Sequence, residues 1–173
     1  SGYNSKFPVY SLAIEKRSRN RRIFCGGGDR YVSVWDSEDK KFVQRLGQHT
    51  GWVKDLAFDE KNQVLFSIGC NCIEAWDCTS SLISHISKRS VENSVSASTL
   101  SSDLLKLCLI DGDFLVSSGV DGRIHVWSTD VNVKEPLFEA SSHTGRVNSL
   151  VYSATMRLLF SVGNDGKLCA LQL

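Results

Sequence analysis

One strand-and-turn pattern recurs four times along this chain, and the recurrence limits the fold more than any single residue does. The run His49-Thr50-Gly51-Trp52-Val53-Lys54-Asp55-Leu56-Ala57-Phe58 is echoed by His143-Thr144-Gly145-Arg146-Val147-Asn148-Ser149-Leu150-Val151-Tyr152. Each leads into a Leu-Phe-Ser-x-Gly segment, Leu65 to Gly69 and Leu159 to Gly163. A period of about 40 to 45 residues with four short strands per unit marks a propeller blade. Such a unit cannot bury its apolar face alone and needs a neighbour of its own kind.

The four copies align column by column. Each starts apolar-x-x-apolar-x-apolar: Val9/Leu12/Ile14, Val53/Leu56/Phe58, Leu104/Leu107/Leu109 and Val147/Leu150/Tyr152. A second strand carries Cys25, Ser67, Ser117 and Ser161 in one column, with Gly27, Gly69, Gly119 and Gly163 two residues on. Asp29, Asp121 and Asp165 mark the next turn, and third strands end at Trp35, Trp76, Trp127 and Leu171. Those strands alternate as a pleated, half-buried surface requires: Val32/Val34, Ile73/Ala75, Ile124/Val126 and Leu168/Ala170 share one face. Fainter fourth strands are predicted at Phe42 to Leu46, Leu82 to Ile86 and Leu137 to Ala140. The expected organisation is one segment, 1–173, with blades at about 9–47, 52–86, 104–140 and 146–173. The Ser-rich stretch 87–102 reads as a loop insertion, a surface excursion more than a phosphorylation site.

These residues resemble the WD-repeat β-propeller family. Trp35-Asp36 and Trp76-Asp77 match its eponymous dipeptide, and Trp127-Ser128 and Leu171-Gln172 depart from it. The resemblance implies an all-β fold, a β-propeller of four-stranded antiparallel blades, with about four blades present and the last incomplete. It also implies a structural network in which a His before the blade, a Ser, an Asp and the Trp are hydrogen-bonded. The matching positions are His49, Ser67 and Trp76; Ser117, Asp121 and Trp127; His143, Ser161 and Asp165; and Asp29 and Trp35. No copy holds all four, and the shorter turn Cys70-Asn71 leaves the second copy without its Asp. Each such hydrogen bond is worth only about 0.5–1.5 kcal/mol, so apolar packing is expected to dominate stability. Rings in this family usually hold seven or eight blades. The chain is therefore expected to be part of a larger propeller, or to complete its ring with another chain or a second copy. A short ring closed by residues 1–7 is the remaining alternative.

Charge and cysteine usage narrow the functional classes. Lys and Arg total 20 against 19 for Asp and Glu, a net charge of +1, which gives no global basic field for nucleic acid. No apolar run approaches the roughly 18 residues of a membrane span. Cys25, Cys108 and Cys169 lie inside strand patterns, where a free thiol acts as a small hydrophobe. Together with Cys70, Cys72 and Cys78 they favour a reducing, intracellular setting. Cytoplasmic and nuclear placements both fit, and so does a plastid.

Features that could carry chemistry have plainer readings. Cys70, Cys72, Cys78 and His85 lack the spacing of a zinc knuckle. Gly26-Gly27-Gly28 is followed by a strand, whereas a dinucleotide cradle must open a helix. His49 and His143 repeat at one blade position, which predicts structural bonds rather than general bases. No serine sits in a nucleophile elbow. No catalytic group, metal or cofactor is therefore expected.

What remains is a binding surface. The resemblance maps Trp52, Lys54, Val120, Arg146, Asn148 and Asn164 to one face of the propeller. Trp and Arg are enriched at interface hot spots, and the apolar columns beside Trp52 do not need it inside. The expected function is a non-catalytic protein–protein interaction scaffold, with other proteins as partners within a multi-subunit complex. The alternatives are a propeller that binds RNA or phosphate through the basic turn 16–22 and a subunit that completes another chain's ring. Nucleic acid is not favoured, and no membrane partner is expected.

Overall fold

The computed structural model describes residues 6–16, 21–90 and 103–172, and all regular structure among them is β-strand. Four antiparallel sheets follow one another in chain order. The first is β1 (Val9–Ile14), β2 (Arg22–Gly27), β3 (Val32–Asp36) and β4 (Lys41–Leu46). The second is β5 (Val53–Asp59), β6 (Val64–Gly69), β7 (Cys72–Asp77) and β8 (Ser84–Ser90). The third is β9 (Leu104–Ile110), β10 (Phe114–Gly119), β11 (Arg123–Ser128) and β12 (Phe138–Ser141). The last has only β13 (Val147–Ser153), β14 (Leu158–Gly163) and β15 (Leu168–Gln172) among the described residues. The described residues thus form three four-stranded blades and one three-stranded blade, an all-β propeller architecture.

Turn chemistry delimits the strands. Cys70 and Asn71 form the hairpin between β6 and β7, with Cys70 in the left-handed region at φ 55°. Gly122 closes the matching turn of the third blade at φ 81°, where only glycine fits: a Cβ would meet the His143 carbonyl at 2.1 Å. The carboxylates of Asp29, Asp121 and Asp165 each accept a hydrogen bond from the backbone amide two residues on, which fixes these turns from the side chain.

The serine-rich stretch is not loop from its start. β8 runs from Ser84 to Ser90 and pairs with β7 from Ser84↔Asp77 to Ser90↔Cys72. Residues 87–90 are therefore strand, and 91–102 lie outside the described residues. The fourth strand of this blade also begins later than Leu82, which is an exposed turn residue. Composition misleads here because β8 alternates the small Ser87 and the long Arg89 inward, and a scan for apolar residues passes over both.

The core is three slabs, each between successive blades. Phe24, Val34, Val53, Leu56 and Trp76 fill the first; Phe66, Ile68, Leu104, Leu115 and Trp127 the second; Val116, Ile124, Val147, Leu150 and Leu159 the third. Where a neighbour is missing, the same columns are bare. Leu12 is 62% exposed and Leu56 6%; Val162 is 37% exposed and Ile68 0%. β1 packs on β5, β5 on β9 and β9 on β13, so the inner strands form an arc.

Polar pins cross these slabs. Ser11 Oγ donates to Asp55 Oδ1 at 2.7 Å, and the other carboxylate oxygen accepts from Leu107 N at 3.0 Å. Asp55 thereby holds β1, β5 and β9 together. Lower down, buried Arg22 makes a forked ion pair with buried Glu15, Nε to Oε2 at 2.7 Å and Nη2 to Oε1 at 3.1 Å. Its remaining donors reach Cys78 O and Ser80 O of the second blade. Arg89 does the same one blade on, to Ser128 O at 2.7 Å and Asp130 O at 2.8 Å. An arginine from each of the first two blades thus grips the turn before the next blade's outer strand, a use of the guanidinium's fixed fork. Arg22→Ala, which strands the Glu15 carboxylate in the interior, is expected to cost about 3–5 kcal/mol in urea unfolding. The double change Arg22→Met with Glu15→Leu should cost clearly less.

Candidate functional site

Every blade carries the same irregularity at the start of its inner strand. Val9 pairs with Gly27 but Ser11 with Gly26; Val53 with Gly69 but Asp55 with Ile68; Leu104 with Gly119 but Lys106 with Ser118; Val147 with Gly163 but Ser149 with Val162. One residue is extra each time: Tyr10, Lys54, Leu105 and Asn148. A bulge of this kind re-aims a side chain out of the ladder. The residue before each paired position, Pro8, Trp52, Asp103 or Arg146, stands at the same end of the arc. The β2–β3, β6–β7, β10–β11 and β14–β15 turns also lie there, and backbone bonds tie the two sets together, Val120 N to Asp103 O and Asn164 N to Arg146 O.

Two groups of predicted residues assemble on this end. Trp52 and Lys54 meet Tyr10 of the first blade. The Trp52 and Tyr10 rings stack with centroids 5.7 Å apart and planes 26° apart, 51% and 41% exposed. Lys54 Nζ lies 4.6 Å from the Trp52 centroid and 5.1 Å from that of Tyr10. A cleft of about 300 Å³ opens beside them, lined by Gly51, Trp52, Lys54, Cys70, Asp103 and Leu104. On the fourth blade, Asn148 Nδ2 donates to Asn164 Oδ1 at 2.8 Å, close in sequence to exposed Arg146. Val120 sits in the third blade's turn against Asp103, half-buried. Tyr10 and Asp103 escape a reading of the sequence because only the pairing register shows that they share columns with Lys54 and Arg146.

Beneath the face, the histidines bond into the blades. His49 Nε2 lies 2.8 Å from Ser67 Oγ, and Trp76 Nε1 donates to the same oxygen at 2.8 Å. The indole can only donate, so the Ser67 hydroxyl accepts from Trp76, and the His49 tautomer sets which partner donates in its second bond. His49 Nδ1 then faces the nearly buried Glu74 at 3.8 Å, and Lys88 and His85 also lie 3.8 Å from that carboxylate. Burial, reinforced by Lys88 and His85, pulls the imidazole down to about 4; burial pushes the Glu74 carboxyl up. In the fourth blade His143 Nδ1 lies 2.9 Å from Asp165 Oδ1 and Nε2 2.9 Å from Ser161 Oγ. The hydrogen bond from His143, with backbone donors from Thr144 and Lys167, holds the Asp165 carboxyl at about 2. The repeated spacing of glycines serves these rings: a Cβ at Gly69 or Gly163 would meet His49 or His143 Nδ1 at 2.8 or 2.6 Å. In the third blade Trp127 Nε1 donates to Ser117 Oγ at 2.9 Å, while Asp121 caps its turn. In the first, Cys25 takes the serine position and Trp35 packs edge-on to Phe42.

The remaining candidates disperse. β7 carries Cys72 at one end, near Cys70, and leads at the other to buried Cys78, whose thiol is pushed up to about 12 by burial. His125 is buried beside Glu139 at 3.4 Å, and burial lowers its pKa. The basic turn 16–22 loses a member: Arg22 is spent inside on Glu15 and two carbonyls, so it offers nothing to phosphate. Lys16 and Arg21 are exposed, and 17–20 lie outside the described residues.

A family model for the WD domain, G-beta repeat matches residues 76–128 and 134–170, just over half of the chain. The chain belongs to the WD-repeat family. It is 25% identical over 177 residues to autophagy-related protein 16 of Arabidopsis thaliana, a match that covers 83% of this chain and 34% of that protein. It is 22% identical over 160 residues to a chromatin assembly factor 1 component of Schizosaccharomyces pombe, 83% of this chain and 31% of the relative. The U5 small nuclear ribonucleoprotein 40 kDa protein of Dictyostelium discoideum is 24% identical over 76% of this chain and 35% of its own. The chain thus spans about a third of the length of these relatives. Among solved structures, the computationally designed Ika4 protein superposes with a TM-score of 0.77 over 100% of this chain and 96% of its own, at 20% identity. A chain of the mitotic checkpoint complex gives 0.78 over 98% of this chain and 49% of its own, also at 20% identity. These structural likenesses concern the fold.

The two buried networks predict opposite ends of an acid titration. A histidine held at about 4, against its ordinary 6.5, refuses a proton that the unfolded chain accepts. Its contribution is complete above 6.5 and is lost as the pH falls toward 4, by about 3 kcal/mol at most. Asp165 contributes above its ordinary 3.8, and that contribution is lost as the pH falls toward 2. Urea unfolding at stepped pH should show the first loss removed in His49→Gln and the second in Asp165→Asn.

Proposed function

We propose that this chain is a non-catalytic platform on which other proteins assemble, with the bulged end of the arc as its docking face. The observation that carries this reading is the exposed Tyr10–Trp52 stack. In the third and fourth blades the columns of Trp52 and Tyr10 hold Asp103 and Leu105, then Arg146 and Asn148, so the fold does not require aromatics there. A large apolar pair kept half in water where packing does not demand it fits an interface anchor. Lys54, Val120, Arg146, Asn148 and Asn164 supply further adaptable contacts along the same end.

The relatives support an assembly role by name: one belongs to chromatin assembly factor 1 and one to a small nuclear ribonucleoprotein. We take this chain to serve likewise within a multi-protein complex, inside the cell, in the cytoplasm or the nucleus. Six free thiols fit a reducing setting. We also take the arc to be completed by further blades or by another chain. Its two apolar flanks, with Leu12 and Ile14 on one side and Val151, Val162 and Leu168 on the other, are the two halves of the interface that successive blades make with each other. The nucleic-acid reading is weaker, since the basic turn puts Arg22 inside.

Trp52→Ala is expected to reduce capture of protein partners from a cell extract while leaving the thermal melt within a few degrees of the parent, because a half-exposed side chain contributes little to the core. Unchanged capture, or a collapsed melt, would count against the platform.

A further inference from the structure

The chemistry of the cleft beside Trp52 narrows what it can hold. We propose that the cleft lined by Trp52, Lys54, Cys70, Asp103 and Leu104, with Tyr10 stacked on Trp52 beside it, binds a linear peptide segment in which an acidic side chain stands next to an aromatic, proline or other apolar one. The proposal rests on the platform reading above and names its ligand.

Four observations lead there. The bulge at Lys54 turns its side chain out of the β5 ladder and lays the ammonium over both rings, 4.6 Å and 5.1 Å from their centroids. Among the described residues no carboxylate stands at ion-pair distance from Lys54, so its charge is available to a ligand. With a cation already on the electron-rich faces, a second cation such as a lysine or arginine side chain is repelled, and a carboxylate is drawn in. The two half-exposed rings offer an apolar shelf immediately beside that charge, where a ligand's flat or apolar side chain loses water.

Size and the other lining groups exclude other classes. About 300 Å³ is room for a few side chains, not for a folded surface, and it sits at the lower end of ordinary ligand sites. Asp103 lines the same cleft as Lys54. Its carboxylate disfavours a uniformly anionic strand, which is what a nucleic acid would present. Cys70 and Gly51 pack together in the lining: a Cβ at Gly51 would lie 2.2 Å from Cys70 Sγ, so Cys70 takes this position only because residue 51 lacks a side chain.

The test is selection of a phage-displayed random peptide library on the full chain, followed by binding of the enriched peptides to variants whose melts match the parent. The expected result is a consensus of Asp or Glu beside an aromatic or proline. Affinity should drop about tenfold or more in Trp52→Ala, and Lys54→Glu should invert the preference toward Lys or Arg. Enriched peptides that bind Trp52→Ala and Lys54→Glu as well as the parent would overturn the cleft assignment while leaving a platform that uses another surface. No enrichment at micromolar affinity would overturn it too. An oligothymidine single strand that binds the parent and not Trp52→Ala would overturn it in favour of a nucleic-acid ligand.

Discussion

Each sheet of this molecule can bury a face only by laying it against the next sheet, and everything else follows from that dependence. A lone blade has two apolar faces and about as little interior as a hairpin pair. Stacked in an arc, the blades share three slabs of core, and the stability of any one is set by its neighbours. The contrast between Leu12 and Leu56, one residue type in one column with opposite exposure, shows the rule directly. Hydrogen bonds then fix the angle between blades. Asp55 bridges three inner strands with one carboxylate, and Arg22 and Arg89 hook the following blade's turn from the preceding one.

The same inner strands that form the arc also generate its exposed bulged end. A bulge placed identically in each blade takes one residue per blade out of the ladder, and in the first, second and fourth blades that residue, Tyr10, Lys54 or Asn148, reaches the surface, while Leu105 of the third turns inward. Rigid sheet beneath and free choice above is the usual division between scaffold and recognition surface. In this chain the choice fell on Tyr10 and Lys54 in the first two blades, and Trp52 beside them completes an aromatic shelf under a positive charge.

Much of this is legible in the residues alone, for a physical reason. Periodic columns report burial, so Val53, Leu56, Ser67 and Trp76 align with their counterparts, and the blade count follows. Positions whose meaning depends on the neighbouring blade are not legible. Asp55 reads as a stray acid in an apolar column until Ser11 and Leu107 are placed on either side of it. Arg22 hides in a run of basic residues, and nothing local shows that it faces Glu15 and the second blade. Tyr10 needs the register of β1 against β2 before it can be seen beside Trp52. The start of the Ser-rich segment reads as loop because β8 buries a serine and an arginine, which a hydropathy pattern does not count.

Amide hydrogen exchange resolved by strand tests the account most directly, since opening free energies should follow shared burial. The slowest amides are expected in β6, β7, β10 and β11, around Phe66, Ile68, Val116 and Ile124, with β1 and β15 exchanging far sooner. Uniform protection across the four blades, or the slowest exchange in β14 and β15, would contradict an arc whose blades depend on one another for their core.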